Sequence, residues 1–206
     1  MKRFYYFGIA AAAIYVFAVV LGGYMWNGYN HISQSISELI MVGSPNQSIM
    51  QPLFWAYNIL LVVFSIGFFQ WAQNRLLKTS AVFLLLVALS GVMMLIFPQD
   101  KLGETLTIVG LLHLIFAGFA ALSTLVSIFF AAAGFRKVDK YKGLTVMSIV
   151  FGLIILVNGP LTAMAPTVFP DYFGLSERVT IGAFIIWLFL VSYKLANNQN
   201  MIKAEK

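Results

Sequence analysis

The sequence contains two histidines, seven acidic residues and no cysteine, which narrows the chemistry that its side chains can perform. A histidine beside a carboxylate is the common pair for general acid and base catalysis, so His113 with Asp100 and His31 with Glu38 are candidate catalytic pairs. The same side-chain types ligate zinc and other divalent ions, and His113 with Asp100 is the candidate metal pair. The two histidines lack the close spacing that places two ligands on one helical face, so both chemistries stay open.

The densest group of polar residues is the stretch YNHISQSISE, residues 29–38. Apolar residues in and just after it recur at the helical spacing i, i+4, i+7 and i+8, and these are Ile32, Ile36, Leu39 and Ile40. A helix of this pattern collects polar residues on another side, namely His31, Gln34, Ser35 and Glu38. We therefore predict a short amphipathic helix that starts near Asn30 and lies at the membrane interface or covers the bundle as a lid.

The elements that position these residues are predicted from hydropathy. The chain is 61% hydrophobic and 10% charged, with a mean hydropathy of +0.89, which is typical of an integral membrane protein. Five long uncharged runs can each cross ~30 Å of hydrocarbon, and they are residues 4–24, 52–72, 79–97, 105–135 and 143–169. A sixth run, 179–193, is shorter and must include Glu177, Arg178 and Lys194 near the membrane boundary. The prediction is an all-α bundle of six transmembrane helices in one domain, 1–195, followed by a short polar tail, 196–206.

Basic residues predict the orientation of the bundle. Eleven of the thirteen Lys and Arg residues fall on one side if six helices alternate in direction, and the positive-inside rule assigns that side to the cytoplasm. Both termini are then cytoplasmic and the protein lies in the cell membrane. The net charge of +6 is thus explained by basic residues that determine the topology, and no nucleic-acid partner is expected. The acidic residues fall mostly on the external side, at Glu38, Asp100, Glu104, Asp171 and Glu177.

The external half of the bundle is therefore the place for a polar pocket. Asn158-Gly-Pro160 predicts a kink in helix 5, because Pro160 frees the carbonyl of Leu156, and such a break is tolerated beside a wet cavity. Arg178 is a candidate for holding an anionic head group. Residues expected at this one cavity are His31, Ser35, Glu38, Asp100, His113, Asn158, Glu177 and Arg178. The alternative is a hydrogen-bonded cluster that only holds the external loop on the bundle.

Several ordered motifs resemble a prokaryotic membrane family known as domain of unknown function 998. They are GYNHISQSISEL at 28–39, Pro45-Asn46, Phe97-Pro-Gln-Asp100, the histidine of helix 4, and Gly174-Leu-Ser-Glu-Arg178. The resemblance implies a six-helix membrane protein and points to Ser33, Ser37, Glu38, Pro98, Asp100, His113, Glu177 and Arg178. A looser likeness to Frag1/DRAM-type proteins, some of which act in lipid handling, rests on architecture and the helix histidine alone.

The function predicted from these observations is binding of a lipid or another amphiphile in a pocket open to the outer leaflet. If the protein is an enzyme, we expect metal-assisted or acid and base hydrolysis, with Ser33, Ser35, Ser37 and Asn158 as further binding residues. A serine nucleophile is disfavoured because no serine occurs in a nucleophile-elbow sequence. The alternatives are a non-catalytic binding, sensing or transport protein, or a structural accessory subunit.

Overall fold

The computed structural model describes residues 3–101 and 103–204, and every element in that part of the chain is helical. Six helices are long and apolar enough to cross a membrane, which confirms the predicted all-α class and the number of spans. Their bounds are α1 Tyr5–Met25, α2 Gln47–Trp71, α3 Arg75–Ile96, α4 Ile108–Phe135, α5 Gly143–Val168 and α6 Phe173–Ala204.

Three short 3₁₀ helices lie in the connections, at Ser37–Ile40, Asp139–Tyr141 and Pro170–Tyr172. The described part of the predicted polar tail continues α6 as far as Ala204. Lys2 and Lys206, which the orientation argument counts, lie outside the described residues, and only the backbone of Lys203 is described.

The six helices form a ring in chain order. Each helix packs against the next one along the chain, and α6 returns to pack against α1. Consecutive helices joined by short connections are antiparallel neighbours, so α1, α3 and α5 all end on the same face of the ring. We call this face the capped end and the opposite face the basic end. Basic residues of the basic end include Arg75, Lys78, Arg136, Lys137, Lys140, Lys142 and Lys194.

Helices α3 and α4 are joined by polar side chains as well as by apolar packing. The Ser127 hydroxyl donates to the Ser80 carbonyl at 2.9 Å. Asn74 caps α3 by accepting a hydrogen bond from the Leu77 N–H at 3.1 Å, and its amide donates to the Gly134 carbonyl at 3.0 Å. Such interhelical hydrogen bonds hold membrane helices together where no hydrophobic force distinguishes protein from lipid.

The first connection differs from the predicted amphipathic helix. Residues 31–34 form turns, and the only regular element is the four-residue 3₁₀ helix Ser37–Ile40. Ser35 and Glu38 form a capping box: the Ser35 N–H donates to Glu38 Oε1 at 2.8 Å, and the Glu38 N–H donates to Ser35 Oγ at 3.2 Å. Asn30 caps no α-helix, because its side chain accepts from the Ile32 N–H at 2.8 Å and makes a turn.

Close packing of α3 on α4 depends on Gly134. A Cβ at this position would lie 2.7 Å from Leu77 Cγ and 3.0 Å from the Leu77 backbone nitrogen, whereas a Cβ at Gly118 of the same helix meets nothing within 4 Å. We predict that Gly134→Ala lowers the free energy of unfolding by about 1–3 kcal/mol through overpacking. Gly118→Ala should raise it by roughly 0.5–1 kcal/mol, because alanine favours the helix. Thermal unfolding in detergent measures both changes. Shifts of the melting temperature in the same direction for the two variants would contradict the close packing of α3 on α4 at Gly134.

Candidate functional site

Residues 29–41, which we call the cap segment, cover the capped end of the ring. The 3₁₀ helix within the cap segment contacts both α1 and α2. Leu39 is fully buried, and Ile36 and Ile40 are also part of the core. The N–H of Leu175, near the start of α6, donates to the Ile32 carbonyl at 2.8 Å. The cap segment is therefore packed into the bundle at its capped end.

Glu177 attaches α6 to the cap segment through its carboxylate. This buried side chain accepts hydrogen bonds from the Ile36 N–H and from the Ser37 hydroxyl, the latter at 3.3 Å. A carboxylate at membrane depth needs such donors, because an unsolvated charge is expensive there. The cap segment supplies these donors to Glu177, one from its backbone and one from a serine side chain.

Arg178 attaches α6 to the same segment with its guanidinium. It donates to the Gln34 carbonyl at 2.7 Å, to the Gly174 carbonyl at 2.9 Å and to the Tyr29 hydroxyl at 2.7 Å. The start of α6 and the cap segment approach each other so closely here that a Cβ on Gly174 would lie 2.1 Å from the Gln34 carbonyl oxygen. A glycine at the start of α6 is thus required for this contact.

Tyr29 hydrogen-bonds both to Arg178 and to the backbone of the cap segment. Its hydroxyl donates to the Ser35 carbonyl at 2.6 Å. Burial raises the pKa of Tyr29 to about 12, in spite of the opposing effect of Arg178, so the phenol keeps its proton at neutral pH. His31 lies edge-on to the Tyr29 ring, 5.1 Å between centroids, and is exposed. Partial burial of its ring, with Arg178 nearby, lowers the pKa of His31, so its imidazole is neutral at pH 7.

The predicted pair of His31 and Glu38 is not joined by a hydrogen bond or ion pair among the described residues. Glu38 is buried and serves the cap segment itself, because it accepts from Ser35 in the capping box and from Gln34 Nε2 at 3.1 Å. Ser33 donates its backbone N–H to Asn30 Oδ1 at 3.4 Å, within the same turn. These contacts stabilise the cap segment.

Asp100 and His113 each hold the connection between α3 and α4. Asp100 accepts from the Thr107 N–H at 2.7 Å and from the Thr107 hydroxyl at 2.8 Å, just before α4 begins. His113 is buried, and its Nδ1 lies 2.9 Å from the Phe97 carbonyl oxygen, which makes this nitrogen the donor. His113 therefore binds the carbonyl of Phe97, the C-cap residue of α3, which precedes Pro98.

Asn158 belongs to a third polar cluster, between α5 and α6. Its Nδ2 donates to the Ser176 carbonyl at 2.6 Å and to Thr180 Oγ1 at 2.8 Å. Thr162 Oγ1 lies 2.8 Å from Ser176 Oγ and 2.9 Å from Thr180 Oγ1. Helix α5 stays continuous through Pro160, so the residues of the predicted kink serve here to join two helices. Among the described residues, no group of three or more His, Asp and Glu side chains could hold a metal ion.

A cavity of about 190 Å³ lies inside the ring, and all six helices and the cap segment contribute to its wall. Most of the wall is apolar. Three of the residues predicted for a site line it, namely Ser37, His113 and Glu177. The others predicted lie outside the wall, and these are His31, Ser33, Ser35, Glu38, Asp100, Asn158 and Arg178. The structure therefore divides the predicted constellation among several clusters.

Five further polar residues of the wall were not predicted from the sequence: Tyr15, Tyr57, Asn58, Thr124 and Thr180. The structure shows no hydrogen-bond partner for either tyrosine hydroxyl among the described residues. Asn58 is 3% exposed and its Oδ1 has no partner there. The signal in the sequence was Asn58 itself, because an amide inside a long apolar run needs a partner in the membrane.

A ring of six apolar helices with a polar cap segment defines a multi-pass membrane protein. The chain belongs to the family "Protein of unknown function (DUF998)", whose family model matches residues 9–194. This confirms the family resemblance of the motifs. Comparison with curated proteins and with solved structures gave no match.

The contacts of Arg178 predict how firmly the cap segment is held. Ile36 is 5% exposed, and the chain has no cysteine, so an Ile36→Cys variant should react slowly with a maleimide. Adding Arg178→Met removes three hydrogen bonds from a charged donor, and we expect labelling to become at least ~10-fold faster.

Two controls accompany this measurement. Lys194→Met removes an exposed cation from the same helix and should leave the labelling rate of Ile36→Cys unchanged. Ile32→Cys, at a position 50% exposed, should react quickly in both backgrounds. Equal rates for Ile36→Cys with and without Arg178 would show that the guanidinium does not hold the segment.

Proposed function

We propose that the protein binds a small amphiphile in the central cavity. The observation that carries the proposal is an apolar space lined by all six helices, with Glu177 and His113 in its wall. Apolar cavities with a few convergent polar groups are the usual form of a small-molecule site. The cap segment closes the mouth over the ligand, and Arg178 holds that segment in place.

The size of the cavity limits the ligand. Its volume of about 190 Å³ compares with roughly 150 Å³ for an engineered cavity that binds benzene and roughly 300–1,000 Å³ for typical ligand pockets. A ring or a chain of about six carbons fits such a space, whereas a complete two-chain phospholipid does not. The ligand class is therefore a short amphiphile, or the short apolar part of a larger membrane lipid.

Binding is better supported than hydrolysis because the predicted catalytic residues have structural contacts. Asp100 binds Thr107, the N-cap residue of α4, Glu38 completes the capping box, and the His113 Nδ1 donates to a backbone carbonyl. A hydrolytic reaction would have to use His113 and Glu177, the acid and base residues of the wall. A zinc ion held by His113 and Asp100 and a kinship with Frag1/DRAM-type proteins stay separate hypotheses.

The binding proposal is tested by filling the cavity. Ala121 lines the cavity and the neighbouring Leu122 is exposed on the outside of the ring. Native mass spectrometry of the protein released from detergent micelles should detect a bound small molecule in the wild type. Ala121→Phe should abolish the adduct because the new ring occupies its space, whereas Leu122→Phe should retain it. An adduct of equal intensity in all three proteins would contradict binding in the cavity.

We further propose that the capped end faces the outside of the cell and that both termini are cytoplasmic. The support is the concentration of Lys and Arg at the basic end, since positive charge favours the cytoplasmic side. Lys101 and Lys137 are exposed at opposite ends of the ring. In intact cells, an impermeant maleimide should label Lys101→Cys and should label Lys137→Cys only after lysis. The reverse pattern would invert the orientation.

A further inference from the structure

The cavity wall carries a cluster of aromatic rings. Tyr15, Phe54, Tyr57 and Phe184 all line it. The Tyr15 ring lies 4.8 Å from that of Tyr57 and 5.5 Å from that of Phe54, with interplanar angles of 64° and 73°. Rings at steep angles to one another present both faces and edges to a shared space, and an aromatic face attracts a cation.

Glu177 provides the one formally charged side chain of this wall among the described residues. It forms no ion pair there, since the two ion pairs that the structure shows are Lys101–Glu104 and Lys142–Asp139, both exposed. Arg178 directs its guanidinium to two carbonyls and the Tyr29 hydroxyl. Buried charges in membrane proteins are usually paired, and a cationic ligand would give the Glu177 carboxylate a direct ion pair in addition to the longer-range attraction of Arg178.

Asn58 adds a fixed acceptor to the same wall. Its Nδ2 donates to the Phe54 carbonyl at 2.9 Å, which determines the orientation of the amide because two oxygens would repel each other. Oδ1 is then left without a partner among the described residues, and it is packed beside Gly91, where a Cβ would lie 2.0 Å from it. A hydrogen bond from any donor that reaches this buried acceptor would lower the free energy of the protein.

We propose that the ligand of the cavity carries a protonated amine. An alkylammonium has donors and no acceptor, so it complements the Glu177 carboxylate and Asn58 Oδ1, and its charge is attracted by the tyrosine rings. An alcohol offers a single donor without charge, and a carboxylate would meet the like charge of Glu177. This inference rests on the proposed function and names the chemical class of its ligand.

The test compares three probes with the same chain, n-hexylammonium, 1-hexanol and hexanoate, by isothermal calorimetry on the full chain in dodecyl maltoside. We expect n-hexylammonium to bind roughly 10-fold or more tightly than 1-hexanol, because charge-assisted hydrogen bonds exceed neutral ones. Hexanoate should bind most weakly. Glu177→Gln and Asn58→Leu should each weaken n-hexylammonium binding by about 10-fold and weaken 1-hexanol binding by a smaller factor, because hydrogen bonds to a charged donor are stronger than those to a neutral hydroxyl.

Matched controls separate binding from folding. Asn58→Leu replaces an unpaired buried acceptor by an apolar group, so the melting temperature of this variant should equal or exceed that of the wild type. If Glu177→Gln proves unstable, Asn58→Leu alone still tests the proposal. Ser90→Ala removes a buried hydroxyl that bonds to its own helix outside the cavity, and it should bind n-hexylammonium as the wild type does.

The outcomes distinguish the inference from the proposed function. Equal affinity for n-hexylammonium and 1-hexanol, with both lost in Ala121→Phe, would overturn the amine and leave binding in the cavity intact. Tightest binding of hexanoate would also overturn the amine. Absence of binding for all three probes would count against the cavity as a site for a short amphiphile, and thus against both proposals.

Discussion

The carboxylate of Glu177 is the constraint on which the capped end of this protein depends. A glutamate at membrane depth has too short a side chain to reach water, so it must find hydrogen-bond donors within the protein. It finds them in the Ile36 N–H and the Ser37 hydroxyl, at a separation of 141 and 140 residues along the chain. This contact fixes the cap segment over the ring, and Arg178 and Leu175 add further hydrogen bonds beside it. The cap segment consequently forms part of the cavity wall, through Ile36, Ser37 and Ile40.

The helices were predictable because the bilayer imposes a simple requirement of length and hydropathy. The uncharged run 143–169, for example, corresponds closely to α5, Gly143–Val168. The cap segment was not predictable by the same periodicity. Its apolar residues do follow a helical spacing, but local hydrogen bonds of Asn30, Ser35 and Glu38 compete with an α-helix and leave only a 3₁₀ turn. The sequence Ser-Ile-Ser-Glu, 35–38, was the signal of a capping box.

The sequence predicted in which part of the bundle the candidate residues lie, but not which of them are close to one another. The polar residues do gather at the capped end, as the charge distribution indicated. Which of them share a space depends on the rotation of each helix and on the path of the loops, and a single sequence does not determine either. Asp100 thus binds Thr107 at the start of α4, while His113, farther along that helix, lines the cavity. Asn58 was missed although it is an amide inside a long apolar run, where it needs a hydrogen-bond partner.

The chemical type of a residue and its hydrogen-bonding state do not coincide in this fold. Glu38 and Asp100 have the chemistry of catalytic residues, yet their oxygens are occupied by backbone and side-chain donors. Asn58 and the two tyrosines have modest chemistry, yet they have free capacity around an apolar space. An unpaired buried group such as Asn58 Oδ1 costs roughly 1–3 kcal/mol. A donor on the proposed ligand would recover part of that free energy, which is the physical basis of the binding proposal.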